Sequence, residues 1–301
     1  MTPTLRDRLV RYGPILGVLL VGALYAAWQL AGGAPESQDS KAYYMAGLDD
    51  PYRRGDVGSD YAFLYSPAFS QAIAPLRLLP IGVFPAVWTM LLFVALAWTA
   101  GRLSLPLLLL QPVVASIALG NIEILMAAAI VAGFRYPATW AFILLSKVTP
   151  GVGLVWFLAR GEWRKLGIAL GVTVAIVVVS YVLAPNLWAD WIALLGRNRD
   201  VDFRLPVVPG PLVVRVGIAA LLIAWGARTD RRWTVPVGAA LAVPVGYFTL
   251  FAIAARIPPS AARRSKRASA AAAGAVGAAG LSAVRSGVVI ESPPRGVASV
   301  P

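Results

Sequence analysis

"RYPATWAFILLSKVTPGVGLVWFLAR", residues 135–160, runs from one arginine to another, and the way it lies in a bilayer decides the fold. One reading is a single crossing from 137 to 159. It would leave Arg160, Arg164 and Lys165 on the opposite side from Arg135, against the tendency of Lys and Arg to remain in cytoplasmic loops. The other reading is a hairpin of two helices of about a dozen residues, broken at "KVTPG". At 1.5 Å per residue each arm rises about 18 Å, well short of the ~30 Å hydrocarbon layer. The hairpin keeps all these basic residues on one side and is the preferred reading. It leaves Lys147 and the irregular backbone at Thr149–Pro150–Gly151 partway through the layer. Such backbone is tolerated only where it is buried in protein or lines a cavity.

The whole composition agrees with a membrane solvent. The 301 residues are 58% hydrophobic and 14% charged, whereas soluble domains run at about 25% charged. Several runs approach the ~20 apolar residues of a spanning helix. The period-2 alternation of a barrel strand is absent, so the fold class is an all-α polytopic membrane protein. The net charge of +13 comes from small basic clusters between apolar runs, a pattern of membrane sidedness and not of nucleic-acid binding. The chain has no Cys and no His. Disulfide, thiolate and imidazole chemistry are excluded, and any general base is a carboxylate or, less readily, Tyr or Lys.

Charge then orders the remaining segments. Arg6, Arg8 and Arg11 place the N-terminus in the cytoplasm, ahead of a first span over 13–32. The N-terminal stretch has a signal-peptide outline, but its apolar run is long and further spans follow, so it reads as an uncleaved anchor. An outer loop, 33–80, carries six of the fourteen acids, a short helix at 38–47 and an interfacial segment, "YAFLYSPAFSQAIAPLRLLP". A second span covers 82–101. Between Arg102 and Arg135 there is room for two helices of about 15 residues, broken at "LGNIE". A span at 164–184, an outer segment at 184–211 and a span at 211–227 follow. The last apolar run, 235–255, contains Pro244 and either crosses once or folds back. The transmembrane domain is therefore 1–255, and 256–301 reads as a disordered low-complexity tail. Trp88, Trp163, Trp188 and Trp191, at segment ends, read as interfacial anchors.

Few residues are equipped for chemistry. In "SQDSKAYY", residues 37–44, Ser37 is a candidate N-cap that puts Asp39 in the first helical turn. There the helix dipole favours the ionised carboxylate a base needs. Tyr43, four residues on, shares its face. The plain alternative is a first-turn acid on a wet loop. Asp49, Asp50, Asp56 and Asp60 also read as solvated loop; Arg53 and Arg54 among them oppose a divalent-cation site, so no metal and no cofactor are expected. Lys147 within a membrane segment costs at least ~2.5–3.5 kcal/mol at the centre. It either finds a partner in a polar site or snorkels outward. Arg215 poses the same choice. Two cations in the outer half of the layer suit an anionic lipid head group such as a phosphate. Asn121 and Glu123, at the "LGNIE" break, are candidates for the wall of the same cavity, and Glu123 serves equally as an ion-pair partner for Lys147.

Four stretches in order carry a resemblance: "QDSKAYYMAG" (38–47), "DDPY" with "FLYSPAFSQAIAPLRLLP" (49–80), "LGNIEILMAA" (119–128) and "SKVTPGVGLVWFLARGEWRKL" (146–166). With them the chain resembles the polyprenyl-phosphate-sugar-dependent glycosyltransferases of the GT-C superfamily, closest to glycosyltransferase family 87, which includes actinobacterial mannosyltransferases. Asn121 and Glu123 stand where that family has Gln and Asn. The resemblance implies a GT-C-like bundle of full-length and short broken helices, with interfacial helices in a long outer loop. It implies Asp39 as catalytic base, Lys147 near the lipid phosphate, and Tyr43, Tyr44, Tyr65, Asn121 and Glu123 lining the cavity. The partners it implies are a polyprenyl-phosphate sugar donor, with mannose the expected sugar, a glycolipid or glycan acceptor, and the lipid bilayer. The expected location is the inner membrane, with the site on the periplasmic side. Two rivals share some of these features: a transporter or lipid flippase, which also uses broken helices and an intramembrane cation, and a truncated inactive relative.

Overall fold

The computed structural model describes residues 4–46, 50–52, 60–198 and 210–243, which form helices joined by turns and loops, without strands. In order they form α1 (Leu5–Leu30), α2 (Gln38–Met45), α3 (Pro67–Ile73), α4 (Phe84–Ala100), α5 (Ser104–Leu107), α6 (Gln111–Leu119) and α7 (Glu123–Gly133). Then come α8 (Trp140–Ser146), α9 (Val155–Ala159), α10 (Trp163–Leu183), α11 (Pro185–Arg197), α12 (Leu212–Arg228) and α13 (Thr234–Ala242). The expectations for Asp49, Arg53, Arg54 and Asp56, for 244–255 and for the tail 256–301 lie outside the described residues; Asp50 and Asp60 are exposed.

Among the described residues, three helices are long and apolar enough to cross a membrane: Leu5–Leu30, Phe84–Leu107 and Trp163–Leu183. Their burial separates their roles. The best window of the second is 67% buried, against 17% and 11% for the first and third, so α4 is the central post and α1 and α10 face lipid. α1 begins eight residues before the expected span. Thr4 and Asp7 form a capping box, with the Asp7 amide donating to Thr4 Oγ1 at 3.2 Å and the Thr4 amide to Asp7 Oδ2 at 3.1 Å. That box starts the helix inside the basic flank.

The stretch 135–160 doubles back. Trp140 packs on Gly153 and against Phe157, with ring centroids 6.3 Å apart, and Leu144 packs on Gly151. Partners that descend on one arm as they climb on the other define antiparallel arms, so the hairpin reading holds and the single crossing does not. α6 and α7 form the second broken element, bent by 108°. α12 and α13 form a third, with Gly226 facing Thr234 and Gly238 against Ile223 and the Ala219 carbonyl. Small residues at such crossings let backbones approach where lipid offers no hydrophobic drive to associate.

One end of the bundle gathers a cluster of basic residues. Arg160 donates to the Ala227 carbonyl at 2.9 Å and lies 3.5 Å from Asp230. Lys165 pairs with Glu162 at 2.7 Å, and Arg232 lies over the Phe134 ring. These contacts tie together the chain ends after α7, α9 and α12 and the start of α10. The bends at 120 and 147 lie at the other end of α7 and of α9 with its leading turn.

Gly226→Ala drives a Cβ into the Thr234 side chain, whereas Gly171, also helical, has nothing within 4 Å. Gly226→Ala is expected to destabilise by about 1–3 kcal/mol, and Gly171→Ala to leave stability unchanged or slightly raised. Thermal unfolding of both variants in detergent checks the contrast.

Candidate active site

The site grows from the break between α6 and α7. α6 ends at Gly120 in the left-handed conformation, φ 73° and ψ 28°. The Asn121 amide reaches back to the Ser116 carbonyl at 2.8 Å, which completes a Schellman-type stop. The Gly120 carbonyl accepts from Trp88 Nε1 at 2.7 Å. α2 rests directly on this turn: a Cβ on Gly120 would lie 2.7 Å from Ser37 Oγ and 2.8 Å from Ser40 Cβ. Ser37 holds the cap position of α2, as expected, but makes no side-chain cap bond; its hydroxyl is buried against Gly120 instead.

Asn121 has a double task. Its Oδ1 accepts from the Glu123 amide at 3.1 Å, satisfying one of the unpaired donors at the start of α7. With the amide so oriented, its Nδ2 donates to Asp39 Oδ2 at 2.6 Å. Asp39 is thus half-buried and held by a neutral donor, not free on a wet loop. Glu123 is fully buried, with Oε1 3.8 Å from Lys147 Nζ, whose side chain is 15% exposed. Lys147 is therefore paired inside the protein and does not snorkel outward, and its charge also acts on Asp39.

The loop before α3 closes the group. Ser66 caps α3, accepting from the Phe69 amide at 3.4 Å, and donates to the Leu145 carbonyl at 2.5 Å, in the last turn before Lys147. Tyr65 is thereby set beside Tyr43, with hydroxyls 3.1 Å apart and ring centroids 5.3 Å apart. Tyr52 donates to the Tyr65 carbonyl at 3.0 Å. Tyr43 is buried between Tyr65, Phe69 and Trp88.

Burial pushes the Asp39 carboxyl above its ordinary value, and the Asn121 hydrogen bond and the Lys147 charge partly offset that rise. Burial likewise pushes the Tyr43 and Tyr65 phenols up, reinforced by neighbouring charges that include Asp39. Neither phenol is a base near neutral pH. Among these three groups Asp39, a carboxyl, is the remaining candidate for that role.

Two expected site residues engage other partners. Tyr44 is on another face of α2, its ring 5.3 Å from Phe84. Arg215 is buried in the first turn of α12 and donates to the Leu241 and Val243 carbonyls at 3.3 and 3.0 Å. A cation at the C-terminus of α13 meets the negative end of its dipole, so the geometry gives Arg215 a structural task. Trp88, read as an interfacial anchor, is 3% exposed and works inside the protein. Three contributors escape the sequence reading: Trp88, Gly120 and Ser66. The signals for the last two are present, as glycine before Asn-x-Glu and as Ser-Pro at a helix start. Nothing in the sequence marks Trp88.

An all-helical membrane protein that holds a carboxylate, an amide and a buried Glu–Lys pair together at two helix breaks is built for polar chemistry within an apolar layer. A family model, glycosyltransferase family 87, matches residues 63–256, well over half of the chain. The chain belongs to that family and is a membrane glycosyltransferase. Comparison with curated proteins and with solved structures returns no match. The matched segment includes Tyr65, Asn121, Glu123, Lys147 and Arg215, and begins after α2 and Asp39.

Gly120→Ala combines a strained left-handed residue, costing ~1–2 kcal/mol, with a collision against Ser37 and Ser40. The variant is expected to melt at a lower temperature and to lose transfer activity, because α2 and Asp39 are pushed off Asn121. Parallel melting and transfer assays test both consequences.

Proposed function

We propose that the protein moves a sugar, with mannose the expected one, from a polyprenyl-phosphate donor to a hydroxyl of a lipid- or glycan-linked acceptor, with Asp39 as general base. The observation that carries this reading is the 2.6 Å hydrogen bond from Asn121 to Asp39, which joins the carboxylate to the Glu123–Lys147 pair.

In this mechanism Asp39 takes the proton of the acceptor hydroxyl as its oxygen bonds to the anomeric carbon. The bond from that carbon to the phosphate oxygen breaks, and its electron pair leaves with the lipid phosphate. A phosphate departs as a stable anion, so no acid is needed to protonate it. Lys147 stabilises the charge that develops there. One base on the face opposite the leaving group gives inversion, as in the inverting glycosidases. The proposed setting is the inner membrane, with the site on the periplasmic side; support comes from α2 and α3 packing at the opposite end of the bundle from the basic cluster.

Asp39→Asn keeps the shape and removes the base. Transfer is expected to fall by about 10²–10⁴-fold while donor binding persists, measured with a radiolabelled lipid donor. Wild-type turnover in this variant would remove Asp39 from the role.

The pH profile tests the same assignment differently. The base works only when ionised, so activity is lost as pH falls through the Asp39 pKa. Asn121→Leu removes a donor that stabilises the carboxylate, which moves that pKa further up. The acidic limb of the rate profile is therefore expected to shift to higher pH in Asn121→Leu. An unshifted limb would mean that another group sets it.

A further inference from the structure

Far from the site, at the basic end of α1, a cavity of about 900 Å³ opens between α1 and α4. It is within the ~300–1,000 Å³ range of ligand pockets. Arg6 and Arg11 line it from α1, and Arg102 lines it from the turn after α4. The acid in the lining, Asp7, is engaged by the Thr4 cap, accepting from its amide and from its hydroxyl at 2.7 Å. Among the described residues, none of the three guanidinium groups has a hydrogen-bonding or ion-pairing protein acceptor; Arg11 lies over the Tyr12 ring at 5.5 Å. Below the arginines the wall becomes apolar, with Ile15, Leu19 and Val94, and Trp98 stands at its rim, 60% exposed.

We infer that this cavity is a binding site for an anionic phospholipid of the adjacent leaflet, its phosphate held by Arg6, Arg11 and Arg102 and its acyl chains lying on the α1–α4 apolar wall. Three features select that occupant. Guanidinium forks match phosphate oxygens bidentately. The charge surplus of three arginines over one engaged acid rejects cations and gives zwitterionic lipids no advantage. The passage from basic mouth to apolar wall follows the polarity of a lipid along its length. α1 packs on α4 along one face, with Gly22 against Phe93, and is largely exposed elsewhere, so an annular lipid seated here extends that contact.

The test uses the full-length protein in detergent, titrated with phosphatidylglycerol or phosphatidylcholine and read by native mass spectrometry. Wild-type protein is expected to retain phosphatidylglycerol preferentially. Each arginine near a membrane surface contributes about fivefold in affinity. Arg6→Gln, Arg11→Gln and Arg102→Gln together should therefore weaken retention by about a hundredfold. A control with Arg8→Gln, Arg135→Gln and Arg164→Gln removes the same charge outside the cavity and should change retention little. Equal loss in both triple variants would show a diffuse surface field and overturn the site. So would equal binding of the two lipids, or a dimer that the cavity variants abolish, which would assign the groove to a second copy. If the triple variant does not elute as a single species, Arg102→Gln alone decides, with about a fivefold loss expected and unchanged retention overturning the site.

Discussion

A bilayer offers no hydrogen bonds to a peptide group, and this chain stops and restarts helices within apolar runs, in arms too short to cross a bilayer. Arms of 9 to 11 residues, such as α6 and α7, rise only about 14–17 Å, so their ends fall short of the interface. Each helix end leaves carbonyls or amides without an intrahelical partner, and where they are buried an unmet one costs several kcal/mol. The protein answers with side chains. Trp88 donates to Gly120, the Asn121 amide group serves the start of α7, Ser66 donates to Leu145, and Arg215 donates to Leu241 and Val243.

Those same caps assemble the site. Satisfying Gly120 and Asn121 draws α4 and α2 onto the α6–α7 bend, and so delivers Asp39 to the Asn121 amide. Satisfying Leu145 draws the Tyr65–Ser66 loop onto the end of α8, and so sets Tyr65 beside Tyr43 near Lys147. The buried Glu123 carboxylate is tolerable because Lys147 stands by it; removing either partner would leave an uncompensated charge, typically worth 3–5 kcal/mol. Placement of the proposed base and satisfaction of the backbone are one problem here, which makes the arrangement sensitive to change at Gly120, Trp88 and Ser66, whose work is structural.

This explains what the sequence did and did not disclose. The breaks at "LGNIE" and "KVTPG" were legible because glycine, proline and a lone ionisable residue interrupt long apolar runs, and basic clusters limited how those runs could cross. Asp39 was legible as a first-turn acid in a chain nearly devoid of alternatives, and Glu123 as one possible mate for Lys147. Trp88 was misread because a tryptophan near a helix start looks the same whether its indole N–H meets the interface or a buried carbonyl. Arg215 was open for a related reason. A cation in a membrane segment needs acceptors, but sequence spacing does not say whether they are phosphate oxygens or the carbonyls ending α13, a helix more than twenty residues away.

Electrostatics then gives the proposed mechanism an internal timing. Lys147 acts on two carboxylates, Glu123 at 3.8 Å and Asp39 through its longer-range field. Before transfer, both draw on the same positive charge. When Asp39 accepts the acceptor's proton it becomes neutral and no longer draws on Lys147. At that moment the departing phosphate oxygen gains negative charge and needs it. Negative charge thus passes from the base to the leaving group around a lysine that need not move, in surroundings of low dielectric where such fixed charges act most strongly. Glu123 keeps the lysine in place through both states, so the buried pair holds the field steady while the charge that uses it relocates.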